Sequence, residues 1–348
     1  MSADTGATRN PGSPDLAVAL PGEPLTPATL AAAAQALAAG ELVAFPTETV
    51  YGLGARADQA GAVARVFAAK GRPADHPLIV HVADVAAARR WAATWPARAQ
   101  RLAEAFWPGP LTVIVPRRPG LGEAAAGGQD SIGLRCPAHP VAQALLRAAA
   151  ALGVDGVAAP SANRFGRVSP TSAAHVRAEF GPGLRVLDGG DCPEGIESAI
   201  VDCSRDRAVL LRPGTLSRAR IEAALGEPLA ERDAAAPRAS GTLASHYAPR
   251  ARVRLMSADQ LRAALQVLGP ASAGAPPPVA VYSRSVAPLP AGLPQRRMPA
   301  AADATAHELF AVLRGLDASG APLIWIEQPP DLPEWEGVRD RLQRAAAE

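Results

Sequence analysis

The sequence predicts an α/β protein with a mixed, twisted sheet and flanking helices in a larger first domain, and a smaller open α/β domain of Rossmann-like character after it. Three observations carry that expectation. Short apolar runs of strand length recur between segments with helical spacing. Before Gly226 these runs and helices mix without strict alternation, which fits a mixed sheet. Beyond a Pro-, Ala- and Ser-rich stretch, strand and helix patterns alternate regularly. With 348 residues, 48% of them hydrophobic, the chain has the length and apolar content for two domains, each with a core.

The elements follow in order. Residues 1–25, with Gly, Pro, Ser and Asp, read as a disordered tail without the basic-then-apolar layout of a signal peptide. In TPATLAAAAQALAAG, Thr26 caps a helix, Pro27 suits its first position and Gly40 ends it, with Leu30, Ala34 and Leu37 on one face. ELVAF is a buried strand, and FPTETVYGLGARA reads as a turn from that strand into the helix AGAVARVFAAKG, with Gly52 and Gly54 allowing a tight bend. PLIVHV is a strand, residues 91–106 a helical region, LTVIVPR and SIGLRCP strands, and HPVAQALLRAAAALG a helix. GVAAPSAN runs from strand into loop and SAAHVRAEFG is a helix. RVLDGG, SAIVDCS and AVLLRPG are spaced like three neighbouring strands, and SRARIEAALG closes the domain at residue 226. Residues 227–250 form a linker, and residues 251–348 alternate strand and helix through ARVRLM, ADQLRAALQVLG, PPVAVYS, DATAHELFAVLRGLDASG, PLIWIEQP and a last helix. No GxGxxG run supports nucleotide binding in that second domain.

Composition excludes several classes. A net charge of +2 does not announce a nucleic-acid binder. Cys136, Cys192 and Cys203 show neither CxxC nor zinc-ligand spacing and read as reduced thiols of a cytoplasmic protein. Charges and prolines interrupt every Ala-rich run, so no membrane span is expected.

Chemistry gathers where predicted strands end, which is where α/β proteins build ligand sites. Thr47, Glu48 and Thr49 follow the first strand. Lys70 and Arg72 sit just past a helix before prolines, a point charge and a fork suited to phosphate oxygens or simply to solvent. His81 interrupts an apolar strand, and Arg135 ends another, where it needs a protein or a ligand carboxylate or phosphate. Ser161, Asn163 and Ser169 lie in a Pro/Gly loop before a helix N-terminus. Ser198 begins one strand and Arg212 ends the next. Each cluster has an ordinary structural reading. Together they form the inventory of a site for a phosphorylated ligand and a carboxylate, without a Ser-His-Asp arrangement, metal-ligand cluster or Walker loop.

FPTETVYGLGARA, KGRPADHPLIVHV, FWPGPLTVIV, LRCPAHP, APSANRFGRVSPT and LLRPGT closely resemble, in order, the motifs of the YrdC-domain family. SGTLASHYAP and the second domain resemble that family's longer, two-domain members, the threonylcarbamoyl-AMP synthases. The resemblance implies a YrdC-like catalytic domain over residues 26–226 and a reaction of L-threonine, bicarbonate or CO2, and ATP. The products would be threonylcarbamoyl-AMP and pyrophosphate, and a separate transferase would then modify the adenine beside the tRNA anticodon. By motif, Lys70, Arg72, Ser161 and Asn163 match the catalytic signature. Arg72, His76, Ser131, Ser161, Ser169 and Arg212 match the ATP side, and Thr49, His81, Arg135, Ala159 and Ser198 the threonine side. His76 departs from the pattern, which usually has Asn there. The linker is a shorter form of one that covers the active-site mouth, so His246 and Tyr247 are the expected lid contacts. Thr47 would shape the turn, with Glu48 a lesser candidate for an ammonium or metal contact. Mg²⁺ would enter with ATP, held by phosphates rather than by a protein cage. Two rivals are an RNA binder using a basic sheet face, with weak RNA contact, and carbamoyl transfer from carbamoyl phosphate. The low net charge opposes the first, and the lack of zinc-ligand cysteines opposes the maturation type of the second.

Overall fold

The computed structural model describes residues 25–268 and 276–347. The tail expected over residues 1–25 thus lies, Leu25 apart, outside the described residues.

The first domain runs α1 (Pro27–Ala38), β1 (Val43–Phe45), β2 (Gly52–Arg56), α2 (Ala60–Lys70), β3 (Ile79–His81), α3 (Val85–Trp91), α4 (Ala97–Phe106), β4 (Leu111–Pro116), β5 (Ser131–Arg135), α5 (Pro140–Ala150), β6 (Val157–Ala158), α6 (Ala173–Phe180), β7 (Arg185–Val186), β8 (Ala199–Asp202), β9 (Val209–Arg212) and α7 (Arg218–Leu225). Local chemistry sets several boundaries. Thr26 and Thr29 form a capping box at α1, with Pro27 inside it. Gly71 ends α2 in the left-handed region, so the chain turns sharply between Lys70 and Arg72.

Among the described residues these strands make one nine-stranded mixed sheet, ordered β7-β1-β2-β6-β3-β5-β4-β8-β9. One face is covered by an apolar core that includes Val63, Val66, Trp91, Leu102 and Ile221 from the helices. Helices α1 and α5 pack together over β1 through Leu37, Leu145 and Leu146. The other face is left to Ile79, Ile114, Ile200 and Leu211, against which Ala230, Ala236 and Ala239 of the linker pack.

Three expectations change. Residues 46–51 are a hairpin connection between antiparallel β1 and β2, not a turn into a helix. Gly52 and Gly54 lie within β2, and close approach explains them: a Cβ on Gly54 would sit 2.8 Å from Phe45 and from Val157. The region 91–106 divides into α3 and α4, because Pro96 precedes the second helix. RVLDGG does not neighbour the next two runs: β7 pairs with β1 at one edge, while β8 and β9 form the opposite edge. Chain spacing alone cannot distinguish the two edges of a sheet.

The second domain runs β10 (Arg252–Met256), α8 (Ala258–Leu268), β11 (Ala280–Ser283), β12 (Gln295–Arg297), α9 (Ala302–Asp317), β13 (Leu323–Glu327), a 3₁₀ turn (Pro333–Trp335) and α10 (Glu336–Ala346). Its sheet is parallel throughout, ordered β10-β13-β11-β12. Polar β12 had no apolar signature in the sequence. The two domains share apolar contacts: Val50, Val168, Ile196 and Tyr247 join the cluster built around Phe310, Leu313, Trp335 and Leu342.

Gly54→Ala should lower the stability of the protein by ~1–3 kcal/mol, because the methyl group overpacks the β1–β2–β6 contact. Equal urea midpoints for variant and parent would contradict that packing.

Candidate active site

Register builds the site. β3 and β5 are parallel and pair His81 with Arg135 and Ile79 with Gly133, so both polar groups emerge side by side at the strand ends. β6 pairs antiparallel with β3, so the chain leaves it at the Ile79 end, where Ala159, Pro160 and Ser161 join the same lining as His81 and Arg135. Together with Thr47 and Val50 of the hairpin connection, Arg72, Glu197 and Arg212, these residues line a cleft. Ser240, Gly241, His246 and Tyr247 of the linker close its outer side. A second, open pocket adjoins it across Ile79 and Ser240, along Thr112, Ile114, Ser131, Gly133 and Ile200, with Arg238 at its rim. The sheet face is thus one groove with a polar, cationic end and a largely apolar end.

Positive charge dominates the polar end. Arg72 is buried, its Nη2 donates to the Pro77 carbonyl at 2.9 Å, and its Nε has no hydrogen-bond partner among the described residues. Burial lowers its pKa to about 10. Arg212 donates to the Ser198 carbonyl at 2.9 and 3.1 Å and to the Ser240 carbonyl at 2.8 Å. Arg135 Nη2 lies 2.7 Å from Glu48 Oε1, so the partner it needs within the protein is a carboxylate. Glu48 Oε2 accepts from the Ala138 amide at 3.0 Å. Burial works against charge on Glu197, but Arg341 and Arg212 prevail and hold it below the usual carboxylate range.

Two histidines face the cleft as neutral rings. Burial first, and Arg135 second, push His81 down to about 3. Burial and the cations Arg72, Lys70 and Arg212 push His246 down to about 3 as well. The Nδ1 atoms of both rings are buried without a hydrogen-bond partner among the described residues. With Arg72 Nε they are three buried ring or guanidinium nitrogens without a hydrogen-bond partner among the described residues.

The linker forms a wall because aromatic groups hold it. The His246 ring lies 4.3 Å from Tyr247 and 6.1 Å from Phe165, and Tyr247 stacks on Phe310 of the second domain at 5.4 Å. Tyr247 carries a φ of 61°, the left-handed region, which a bulky residue adopts only when its surroundings enforce it.

The other expected residues occupy different places. Lys70 does not line the cleft: its buried ammonium donates to the carbonyls of Ser161 and Asn163 and pins their loop from behind. Burial and Arg72 hold its pKa well below the usual range. Asn163 braces the same loop by donating to the carbonyls of Arg164 and Arg167 at 2.7 and 2.9 Å. Ser169 donates to Glu197 Oε1 and is fully buried. Ser198 faces Thr112, 2.8 Å away, rather than the cleft. Thr49 is also fully buried, 2.8 Å from the Thr47 hydroxyl, and it is Thr47 that lines the cleft. Ser131 lines the adjoining pocket. His76 is half-buried outside the cleft, edge-on to Phe165 at 5.4 Å. Sequence reasoning missed Val50, Glu197 and Ser240. Strand alternation at Ser198 could have raised Glu197; nothing in the linker's composition marked Ser240.

Comparison with known proteins agrees with this architecture. The Sua5/YciO/YrdC family model, described as "Telomere recombination", matches residues 35–214, and the model "Threonylcarbamoyl-AMP synthase, C-terminal domain" matches residues 216–347. This chain belongs to the Sua5/YciO/YrdC family. Within that family it is 42% identical over 237 residues to the threonylcarbamoyl-AMP synthase of Pyrococcus abyssi, covering 66% of this chain and 68% of that one. It is also 42% identical over 228 residues to the Bacillus subtilis threonylcarbamoyl-AMP synthase, covering 64% of this chain and 65%, just under two thirds, of the relative. The crystal structure of P. abyssi Sua5 complexed with L-threonine superposes with a TM-score of 0.80 at 34% identity, covering 91% of this chain and 94% of that one.

The neutral histidines set a pH dependence. Each binds a proton in the unfolded chain below about pH 6.5, and in the fold only near pH 3. Their contribution to stability is therefore complete above pH 6.5 and is lost as pH falls toward 3, by up to ~1.4 kcal/mol per pH unit for each ring. His81→Gln should make the fall of unfolding free energy between pH 6 and pH 4 shallower. An unchanged slope would show that His81 is not held neutral.

Proposed function

We propose that this chain is an L-threonylcarbamoyladenylate synthase that converts L-threonine, CO2 drawn from bicarbonate, and ATP into threonylcarbamoyl-AMP and pyrophosphate. The observation that carries the reading is a buried cleft whose walls hold Arg72, Arg135, Arg212 and two neutral histidines. A threonine carboxylate suits Arg135 beside His81, and Glu48, against that guanidinium, suits the ammonium. Phosphates suit Arg72 and Arg212, and the adjoining apolar pocket with Ser131 suits a nucleoside. Thr49, Ala159 and Ser198 serve the threonine side as wall or support. Ser161 and Ser169 do so on the nucleotide side, where Lys70 and Asn163 hold the loop.

The chemistry needs no covalent enzyme intermediate. The threonine amine, once it has lost a proton, attacks the carbon of CO2 and gives a carbamate after loss of a second proton. A carbamate oxygen then attacks the α-phosphorus of ATP, and the bond to pyrophosphate breaks. The protein's part is positioning and charge stabilisation. His246, Tyr247 and the linker exclude water, which matters because a carbamate is labile. Mg²⁺ enters with ATP. Among the described residues no group of three or more His, Cys, Asp or Glu gathers, and Glu197 is tied to Ser169 and Arg341.

The product is an activated acyl adenylate, to be consumed by a separate transferase acting on tRNA in the cytoplasm. No helix among the described residues is long and apolar enough to cross a membrane.

Pyrophosphate release should require ATP, bicarbonate and threonine together. Release with another amino acid in place of threonine, or none with threonine, would overturn the reading. Arg72→Ala should reduce turnover by ~10²–10³ with the fold intact, and full activity in that variant would remove Arg72 from the site.

A further inference from the structure

The last helix sends Arg341 out of its own domain and into the first. Arg341 of α10 is fully buried, with 0% exposure. Its Nε donates to Glu197 Oε2 at 2.9 Å, and its Nη2 donates to the Glu197 backbone carbonyl at 3.1 Å. Its Nη1 donates to the Pro213 carbonyl at 2.9 Å and to Asp340 Oδ2 at 2.7 Å. The guanidinium carbon lies 5.3 Å from the centre of the Tyr247 ring. One side chain of the second domain therefore touches Glu197, the segment just after Arg212, and the linker.

Adhesion between the domains does not require this charge. A buried ion pair is on average no better than apolar residues of the same volume, because desolvation offsets the attraction. Apolar adhesion is already present through Ile196, Trp335, Val338 and Leu342. Backbones also meet directly at the same place: a Cβ on Gly337 would lie 2.5 Å from the Gly214 carbonyl oxygen. What the fork adds is direction. It fixes Glu197 through both its carboxylate and its carbonyl, leaving the other oxygen to Ser169. It also lies against the ring of Tyr247, whose backbone is strained.

We propose that Arg341 is a positioning residue for the nucleotide half of the reaction, holding Glu197 and Tyr247 so that Arg212 and the linker meet ATP in fixed geometry. This rests on the function proposed above. It gives the second domain a part in nucleotide binding through a side chain that lies outside the cleft lining.

Arg341→Met keeps most of the volume and removes the charge, and Arg341→Lys keeps the charge and removes the fork. Steady-state pyrophosphate release should show the KM for ATP raised at least tenfold in Arg341→Met and less in Arg341→Lys, with the KM for threonine within twofold of the parent. An unchanged KM for ATP, or equal losses for both substrates, would overturn the proposal. Should Arg341→Met fail to fold, the Arg341→Lys pattern decides alone. ATP affinity by calorimetry separates the two readings. If the parent releases no threonine-dependent pyrophosphate, the synthase reading fails, while a tenfold weaker ATP affinity in Arg341→Met still supports the positioning role. In the calorimetry, Glu197→Gln combined with Arg341→Met should be no worse than Arg341→Met alone, and additive losses would show that the two act separately.

Discussion

Buried positive charge is the constraint to which the rest of the structure conforms. Lys70, Arg72, Arg135 and Arg212 are each 7% exposed or less, and the carboxylates beside them are Glu48 and Glu197. Stripping water from such groups costs several kcal/mol each unless partners replace it. The protein supplies mostly carbonyl oxygens: those of Ser161 and Asn163 for Lys70, Pro77 for Arg72, and Ser198 and Ser240 for Arg212. Carbonyls satisfy donors without cancelling the charge, so the cleft stays positive. The loops that supply them are therefore shaped around the cations, and a polyanion is the ligand that completes the balance.

The second domain extends the same logic to the linker. A segment of Pro, Ala, Ser and Gly has little apolar surface of its own to hold it in place. Tyr247 anchors it on Phe310 and Arg341, the Leu243 carbonyl accepts from Arg344, and the His246 amide donates to the Arg344 carbonyl at 3.2 Å. α10 thus reaches the linker and the first domain at once, which is how a four-stranded parallel domain without a glycine-rich fingerprint serves the cleft.

Much of this was legible in the sequence because strand ends carried charges that a core rejects. His81 and Arg135 stood out for that reason, and their parallel register brings them together. Arg72 stood out beside Lys70, just past a helix and before prolines, and the left-handed Gly71 turns the chain between the two. Other features were hidden for physical reasons. Charge alone does not tell whether an ammonium faces a ligand or a carbonyl cage, so Lys70 read as part of the wall. Two threonines two residues apart cannot be ranked until the hairpin's direction is known, and Thr47 faces the cleft while Thr49 lies behind it. Gly54 read as part of a tight bend because the sequence does not show the Phe45 and Val157 side chains that press on it. Arg341 lies 144 residues from Glu197, and nothing local in its helix distinguishes it from a solvated arginine.

The central claim is that the cleft joins carbon from bicarbonate to threonine and then to the α-phosphate of ATP. Mass spectrometry of the nucleotide product formed with ¹³C-bicarbonate tests it most directly. A threonylcarbamoyl-AMP carrying a single ¹³C is the expected result. An unlabelled adenylate, or threonine joined to AMP without the added carbon, would contradict it.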